Sequence, residues 1–153
     1  MNNQVKTILE TIRYATLSTV DKSGRAWAAP VWYVFDEREG SEGGLYWWSP
    51  IDSRHSQNIE RNGDVYITIF DSTTPEGKGV GLYIRAHAEQ VPDDQLDGAI
   101  AHYNTITQKF KLSRTNTTGS APTRLYRAAP IRIYINDGVE TDGFYRDIRR
   151  SQL

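Results

Sequence analysis

Six short segments with the residue patterns of β-strands lie close together along this chain of 153 residues, and they limit its fold more than any other feature. Three segments with helical periodicity lie between or beside them, without a regular alternation. A parallel Rossmann-type sheet needs that alternation, so the pattern predicts a mainly antiparallel sheet or barrel with flanking helices. The six predicted strands are residues 15–20, 25–35, 45–49, 65–70, 82–91 and 125–135.

Two of the three predicted helices are indicated by an apolar stripe. The first lies near residues 5–13, and the third opens with Pro92 and carries a stripe of Leu96, Ala99, Ile100 and Tyr103. The polar segment 113–123 is predicted to be a mobile loop, and a polar tail follows residue 135. The last strand is predicted to bury Ile131, Ile133 and Ile135.

The remaining helix is predicted within LYWWSPIDSRHSQNIERNG, residues 45–63, directly after a strand. Ser49 is a favourable N-cap and Pro50 suits the first helical position. Asp52 follows the cap by three residues, where a carboxylate can complete a capping box. Residues 62–63, Asn-Gly, mark the end of the helix.

The first turns of this helix carry Ser53, Arg54 and His55. Backbone N–H groups at a helix start favour negative charge, and the guanidinium of Arg54 matches the geometry of a phosphate. Trp47 and Trp48 bring flat apolar surface to the same place. The segment therefore predicts a site for an aromatic ring that carries a phosphate.

A structural interpretation of the same residues stays open. Ile51, His55 and Ile59 share one helical face, so His55 could be a histidine of the core. Arg54 and Arg61 could be solvated surface residues, since arginines near helix starts are common.

Pro30 interrupts the second predicted strand, in the segment 28–33 that otherwise looks buried on both faces. Proline has no N–H for the ladder, so the strand must bend, bulge or lie at an edge of the sheet there. Bulges collect next to active sites, whereas a simple edge strand would carry no functional meaning. Both interpretations stay open at this point.

Composition excludes several classes of protein. The length fits one domain, so residues 1–153 are predicted to form a single domain. A net charge of −1 is not typical of a nucleic-acid binder, and the absence of cysteine removes disulfides and thiolate ligands. His87 and His102 have no carboxylate at ligand spacing, so no metal site is predicted. With no apolar run of about 20 residues and no secretion signal, a cytoplasmic protein without membrane contact is predicted.

The order of these segments resembles the pyridoxamine 5′-phosphate oxidase-like family of FMN-binding split β-barrels. The resemblance runs from about residue 8 to residue 135 through ATLSTV, DKSGRAWAAPVWYVFD, LYWWS, SRHSQNIERN, VYITIF and YIRAHAEQV. Its most specific part is Ser53-Arg54-His55 followed by Asn58-Ile59, which is similar to the family segment S-R-K-x-x-N-L. His55 stands where the family usually has lysine, and Ala86 stands where it often has glycine.

The resemblance implies a split β-barrel of about six antiparallel strands that binds FMN. It implies that Ser53, Arg54 and His55 hold the phosphate. It also implies that the isoalloxazine ring lies along two strands, at Pro30, Val31 and Trp32 and at Trp47, Trp48 and Ser49. The family further implies a homodimer with each flavin bound between the two subunits.

The resulting functional hypothesis is an FMN-dependent oxidoreductase that exchanges hydride or electrons with a small substrate, and no residue is assigned as catalytic. One alternative on the same fold is a reductase that uses the deazaflavin F420. A second is a flavin- or haem-binding protein with a storage, sensing or stress role. A third is a barrel that binds single-stranded nucleic acid on aromatic side chains, which the lack of basic clusters disfavours.

Overall fold

The described residues form one curled antiparallel sheet of eight strands with four helices beside it. The computed structural model describes residues 2–38, 40, 43–141 and 144–152, without the side chains of 137–147. The strands are β1 (Tyr14–Val20), β2 (Ala26–Trp32), β3 (Val34–Asp36), β4 (Gly44–Pro50), β5 (Asp64–Phe70), β6 (Gly81–Gln90), β7 (Thr123–Thr141) and β8 (Phe144–Ser151). The helices are α1 (Asn3–Thr11), α2 (Arg54–Arg61), α3 (Leu96–Ile106) and α4 (Arg114–Thr117).

The strand order is β2-β1-β5-β6-β7-β4-β3, with β8 paired to β7 as well. The two outer strands of this order, β2 and β3, are separated in the chain by Tyr33 alone. Tyr33 is fully buried, its N–H donates to the carbonyl of Arg13 at 3.1 Å, and its hydroxyl donates to the carbonyl of Leu9 at 3.1 Å. The predicted strand 25–35 is therefore two strands, because the chain crosses from one edge of the sheet to the other at this residue.

Two apolar cores lie on the two faces of β4. The inner face of the curled sheet encloses the larger core, which α1 and α2 also cover; its largest fully buried side chains include Leu9, Leu17, Trp47, Ile67, Ile84 and Ile133. The smaller core lies beneath α3 and contains Val34, Tyr46, Leu96, Ala99, Ile100, Tyr103 and Leu125. Adjacent strand residues point to opposite faces, so Trp47 enters the first core whereas Trp48 packs against the second. The predicted stripe of the third helix is confirmed, but the helix begins at Leu96 and not at Pro92, because residues 93–95 form a turn.

A bulge explains the one predicted core residue of β7 that is exposed. The register of β6 against β7 shifts between Arg85 and Ala86, which pair with Arg132 and Pro130. Ile131 has no partner in that ladder and is 39% exposed, while Ile133 and Ile135 are buried as predicted. An extra residue in one strand turns the side chains after it, and the sequence pattern alone does not reveal it.

Two polar segments are more regular than their composition predicts. Segment 113–123 contains α4, which begins with a capping box between Ser113 and Asn116. The tail contains β8, which pairs with β7 from Tyr134 to Thr141. A strand such as β8 can form through backbone hydrogen bonds alone, without an alternating apolar pattern of side chains. The sequence of the tail therefore did not predict a strand. None of the helices among the described residues has the length and apolar character needed to cross a membrane.

Gly44 is the glycine whose replacement tests the sheet most directly. Its φ is +134°, and an added Cβ would lie 2.4 Å from the carbonyl oxygen of Ala128 on β7. We expect Gly44→Ala to lower the free energy of unfolding by about 2 kcal/mol in urea denaturation, because the backbone must shift. Gly98→Ala, in α3 with open space around it, is the matched control and should raise stability by about 0.5–1 kcal/mol. Equal effects of both would contradict the close approach at Gly44.

Candidate functional site

Helix α2 begins four residues later than the sequence predicts. Ser49 and Pro50 remain in β4, where they pair with Arg124 and Thr123 of β7. Ser53 is the N-cap instead, and its side chain accepts from the N–H of Ser56 at 3.3 Å. The predictions for the cap at Ser49 and for the helical role of Pro50 and Asp52 are wrong, because pairing with β7 extends the strand. The helix ends at Arg61, as predicted.

This shift places Ser53, Arg54 and His55 at the N-cap and the first two helical positions. The first N–H groups of a helix have no acceptor within it and favour an anion. The exposed guanidinium of Arg54 lies 5.7 Å from the centre of the Trp27 ring on β2. Arg54 thus lies on an aromatic surface at the helix start, where its charge faces solvent.

His55 joins α2 to β4. Its Nε2 lies 2.9 Å from Ser49 Oγ and 3.2 Å from Ser53 Oγ. Burial lowers the pKa of His55 below its usual value of 6.5, so the imidazole is neutral at pH 7. His55 therefore acts here as a hydrogen-bonding link between strand and helix, in contrast to the permanent charge that a lysine would supply.

An aromatic cavity of about 540 Å³ lies beside this link, between the edge strand β2 and strand β4. Pro30, Val31 and Trp32 of β2 line one side, and Trp48 and Ser49 of β4 line another. Because β2 lies at an edge of the sheet, the missing N–H of Pro30 costs no ladder bond with a second neighbour. The edge-strand interpretation of Pro30 holds, and the edge itself borders the cavity.

The structure brings eight of the nine predicted site residues to one region, through the contact of Ser49 with His55. The exception is Trp47, which is 1% exposed and stacks in the core on Tyr126 with ring centres 5.9 Å apart. Trp48 faces the cavity side, and its buried Nε1 has no hydrogen-bond partner among the described residues. Trp47 Nε1, in the core, is unpaired in the same way, so this donor does not by itself point to a ligand.

Sequence reasoning missed the third wall of the cavity. It is formed by Tyr103 and Ile106 of α3 and by the following loop, residues 107–110. Tyr103 was predicted only as part of a buried helical stripe, and the loop residues carry no local signal. The distance of more than fifty residues between this wall and Trp48 explains why the sequence did not join them.

Comparison with known proteins identifies the family. Residues 1–137 match the family profile of pyridoxamine 5′-phosphate oxidase. The chain belongs to this family. The predicted split barrel is thereby confirmed. A comparison with curated protein sequences found no significant match.

Solved structures of several other proteins share the fold. A haem-binding protein from Mycobacterium smegmatis is 16% identical with a TM-score of 0.67, over 95% of this chain and 56% of that one. The haem storage protein HutZ from Vibrio cholerae is 20% identical with a TM-score of 0.67, over 86% and 92% of the two chains. An FAD-binding protein from Mesorhizobium loti is 17% identical with a TM-score of 0.61, over 88% and 94%. The chain thus spans little more than half of the mycobacterial protein.

The neutral state of His55 gives a pH dependence that can be measured. A histidine with a lowered pKa binds protons less well in the folded than in the unfolded chain. Its contribution to the free energy of unfolding is therefore complete above about pH 6.5 and is lost as the pH falls below that value. We expect the free energy of unfolding to fall less steeply between pH 7.5 and 5 in His55→Asn than in the unchanged protein. Gln57→Asn, at a residue of the same helix that does not titrate, is the control and should keep the original slope. Identical slopes for all three proteins would contradict the burial argument.

Proposed function

We propose that this chain binds FMN and acts as a flavin-dependent oxidoreductase on a small substrate. The observation that carries the proposal is that His55, next to Arg54 at the start of α2, contacts Ser49, which lines the aromatic cavity. A phosphate would interact with Arg54 and the first N–H groups of α2. The flavin ring would lie against the β2 and β4 side chains.

The cavity residues fit such a ring through their aromatic side chains. Trp32 and Trp48 both line the cavity, where their indole rings can pack against a flat ring. When bound, FMN would supply hydride or electron transfer, while the chain provides binding, orientation and shielding from water. The similarity to an FAD-binding protein agrees with a flavin. The proposal here is for FMN, which lacks the adenosine part of FAD.

Haem is the second candidate, because two of the structural relatives are named for haem. The described histidines give it little support at this cavity. His55 Nε2 faces two serine hydroxyls, and His102 Nε2 lies 3.1 Å from the carbonyl of Phe35. His87 lines a different cavity, on the other side of α2. The visible spectrum of the purified protein separates flavin, F420 and haem directly, and a haem Soret band without flavin bands would overturn the proposal.

We also propose that the functional form is a homodimer. The outer face of β1, β2 and β5 is partly or fully exposed and carries no charge at Thr16, Ser18, Ala28, Pro30, Tyr66 and Thr68, which lie opposite one another in the ladders. Tyr14 is 62% exposed beside this face, and Tyr14 and Pro30 also line the cavity. A second subunit on this face would therefore complete the open side of the cavity.

Arg54→Ala tests the phosphate site. Loss of a charged hydrogen bond should weaken FMN binding about tenfold to a hundredfold in a fluorescence titration. Riboflavin, which has no phosphate, should bind both proteins alike. Arg61→Ala, at the other end of α2, is the matched control and should leave FMN binding unchanged. Equal losses for FMN and riboflavin would instead make Arg54 a structural residue.

Ala28→Glu tests the subunit interface. A carboxylate on the outer face of β2 would be buried without a partner in the dimer, so we expect a monomer at micromolar concentration by analytical ultracentrifugation. FMN affinity should fall at least about tenfold if the site is shared. Ala101→Glu, on the exposed side of α3, is the control and should remain dimeric. A monomer with undiminished FMN affinity would rule out a site shared between subunits.

A further inference from the structure

The wall of the cavity contributed by α3 is held in place by two anchors. The side chain of Asn104 bonds both backbone groups of Leu112, accepting from its N–H at 2.8 Å and donating to its carbonyl at 2.9 Å. Lys111 Nζ donates to the carbonyls of Asn104 and Thr107 at 2.6 Å each. The loop 107–110 is therefore pinned at both ends, and it presents Lys109 and Phe110 at the cavity.

Aromatic rings border the cavity on this side and on the opposite one. Trp32 and Tyr103 meet edge to face with ring centres 5.7 Å apart. Phe110 is 56% exposed at the rim, and its ring centre lies 6.4 Å from that of Trp48. Such walls favour a flat conjugated ring, which can stack on them or meet their edges.

Tyr103 adds a hydrogen-bond donor to these walls. It is 4% exposed and lines the cavity, and its hydroxyl has no hydrogen-bond partner among the described residues. Burial raises the pKa of Tyr103 to about 12, so the group remains a neutral O–H at pH 7. The hydroxyl oxygen is not among the fully buried unpaired atoms, so it can donate to an acceptor that a ligand brings, for example a ring carbonyl.

Lys109 is the one charged side chain among the described residues that line this cavity, and no carboxylate is among them. Lys109 is exposed, and its Nζ lies 5.2 Å from the centre of the Phe110 ring, so an anionic substituent that reaches the rim of the cavity would interact with it there. A cationic amine would find no counter-charge. The wall thus distinguishes an anionic ring with acceptor oxygens from an aromatic amine.

We propose that the α3 side of the cavity binds flat quinone-like rings that carry carbonyl oxygens and one anionic substituent. Tyr103 would donate to a ring carbonyl, Lys109 would attract the anion, and Phe110 would cover the ring. The inference names a ligand class for the site described above. It rests on the proposed function only in placing this ligand next to a bound flavin.

Three related probes separate the parts of this recognition. Anthraquinone-2-sulfonate has the carbonyls and the anion, anthracene-2-sulfonate lacks the carbonyls, and 2-(hydroxymethyl)anthraquinone lacks the anion. We expect the first to bind FMN-loaded protein about three- to tenfold more tightly than either of the others, by isothermal titration calorimetry. Pyridoxamine 5′-phosphate, which carries an amine, should bind more weakly than anthraquinone-2-sulfonate. The chain has no cysteine that could form a thiol adduct with the quinones.

Single substitutions assign each contribution. Tyr103→Phe should remove the advantage of the ring carbonyls and leave binding of anthracene-2-sulfonate unchanged. Lys109→Gln should remove the advantage of the sulfonate, whereas Lys22→Gln, in the exposed β1–β2 turn, should bind all probes like the unchanged protein. Circular dichroism of each variant checks that it is folded.

The outcomes distinguish this inference from the proposed function. If FMN does not bind but the unloaded protein shows the same order of probe affinities, the flavin proposal fails and the ligand class stands. If FMN binds and the three probes bind equally or not at all, the ligand class is overturned. Tighter binding of pyridoxamine 5′-phosphate than of anthraquinone-2-sulfonate would also overturn it.

Discussion

Incomplete closure of one curled sheet is the constraint on which the rest of this structure depends. The chain leaves the edge strand β2 at Trp32 and enters the opposite edge strand β3 at Val34, with Tyr33 buried between them. This crossing brings the two edges of the sheet together although they are not neighbours in its hydrogen-bonded order. If the two edges were joined by backbone hydrogen bonds, the sheet would be a closed barrel. Because they are not, a gap between β2 and β4 remains open for side chains and for a ligand.

The two sides of this gap are fixed by different means. On the α2 side, the neutral imidazole of His55 spans Ser49 and Ser53, so the helix start keeps a set position relative to the end of β4. This arrangement leaves Arg54 as the charged side chain at the first turn. The neutral His55 joins the strand to the helix, and the exposed Arg54 supplies the positive charge. A buried ammonium at position 55 would need its own counter-charge.

On the other side, α3 is attached to β3 through a buried carboxylate. His102 Nε2 contacts the carbonyl of Phe35, and its Nδ1 lies 3.7 Å from Asp36. Burial would raise the pKa of Asp36, but hydrogen bonds from Arg38 and the nearby His102 outweigh it and lower the pKa, so the carboxylate is ionised. This attachment holds the helix whose last turn and following loop wall the cavity. The ligand side of the site thus depends on contacts outside the cavity itself.

The sequence by itself determined the elements whose signals are local: the strand alternation, the apolar stripe of α3, the end of α2 and the grouping of Ser53, Arg54 and His55. It also indicated that the strand must bend, bulge or lie at a sheet edge at Pro30. Only the tertiary structure decided that Ser49 stays in β4, because β7 pairs with it, and that Trp48 and not Trp47 borders the cavity, because β4 has a core on each face. It also decided that Tyr103 and Lys109 join the site. Periodicity and capping act over a few residues, whereas strand pairing and helix packing join distant segments, so no local pattern could reveal them.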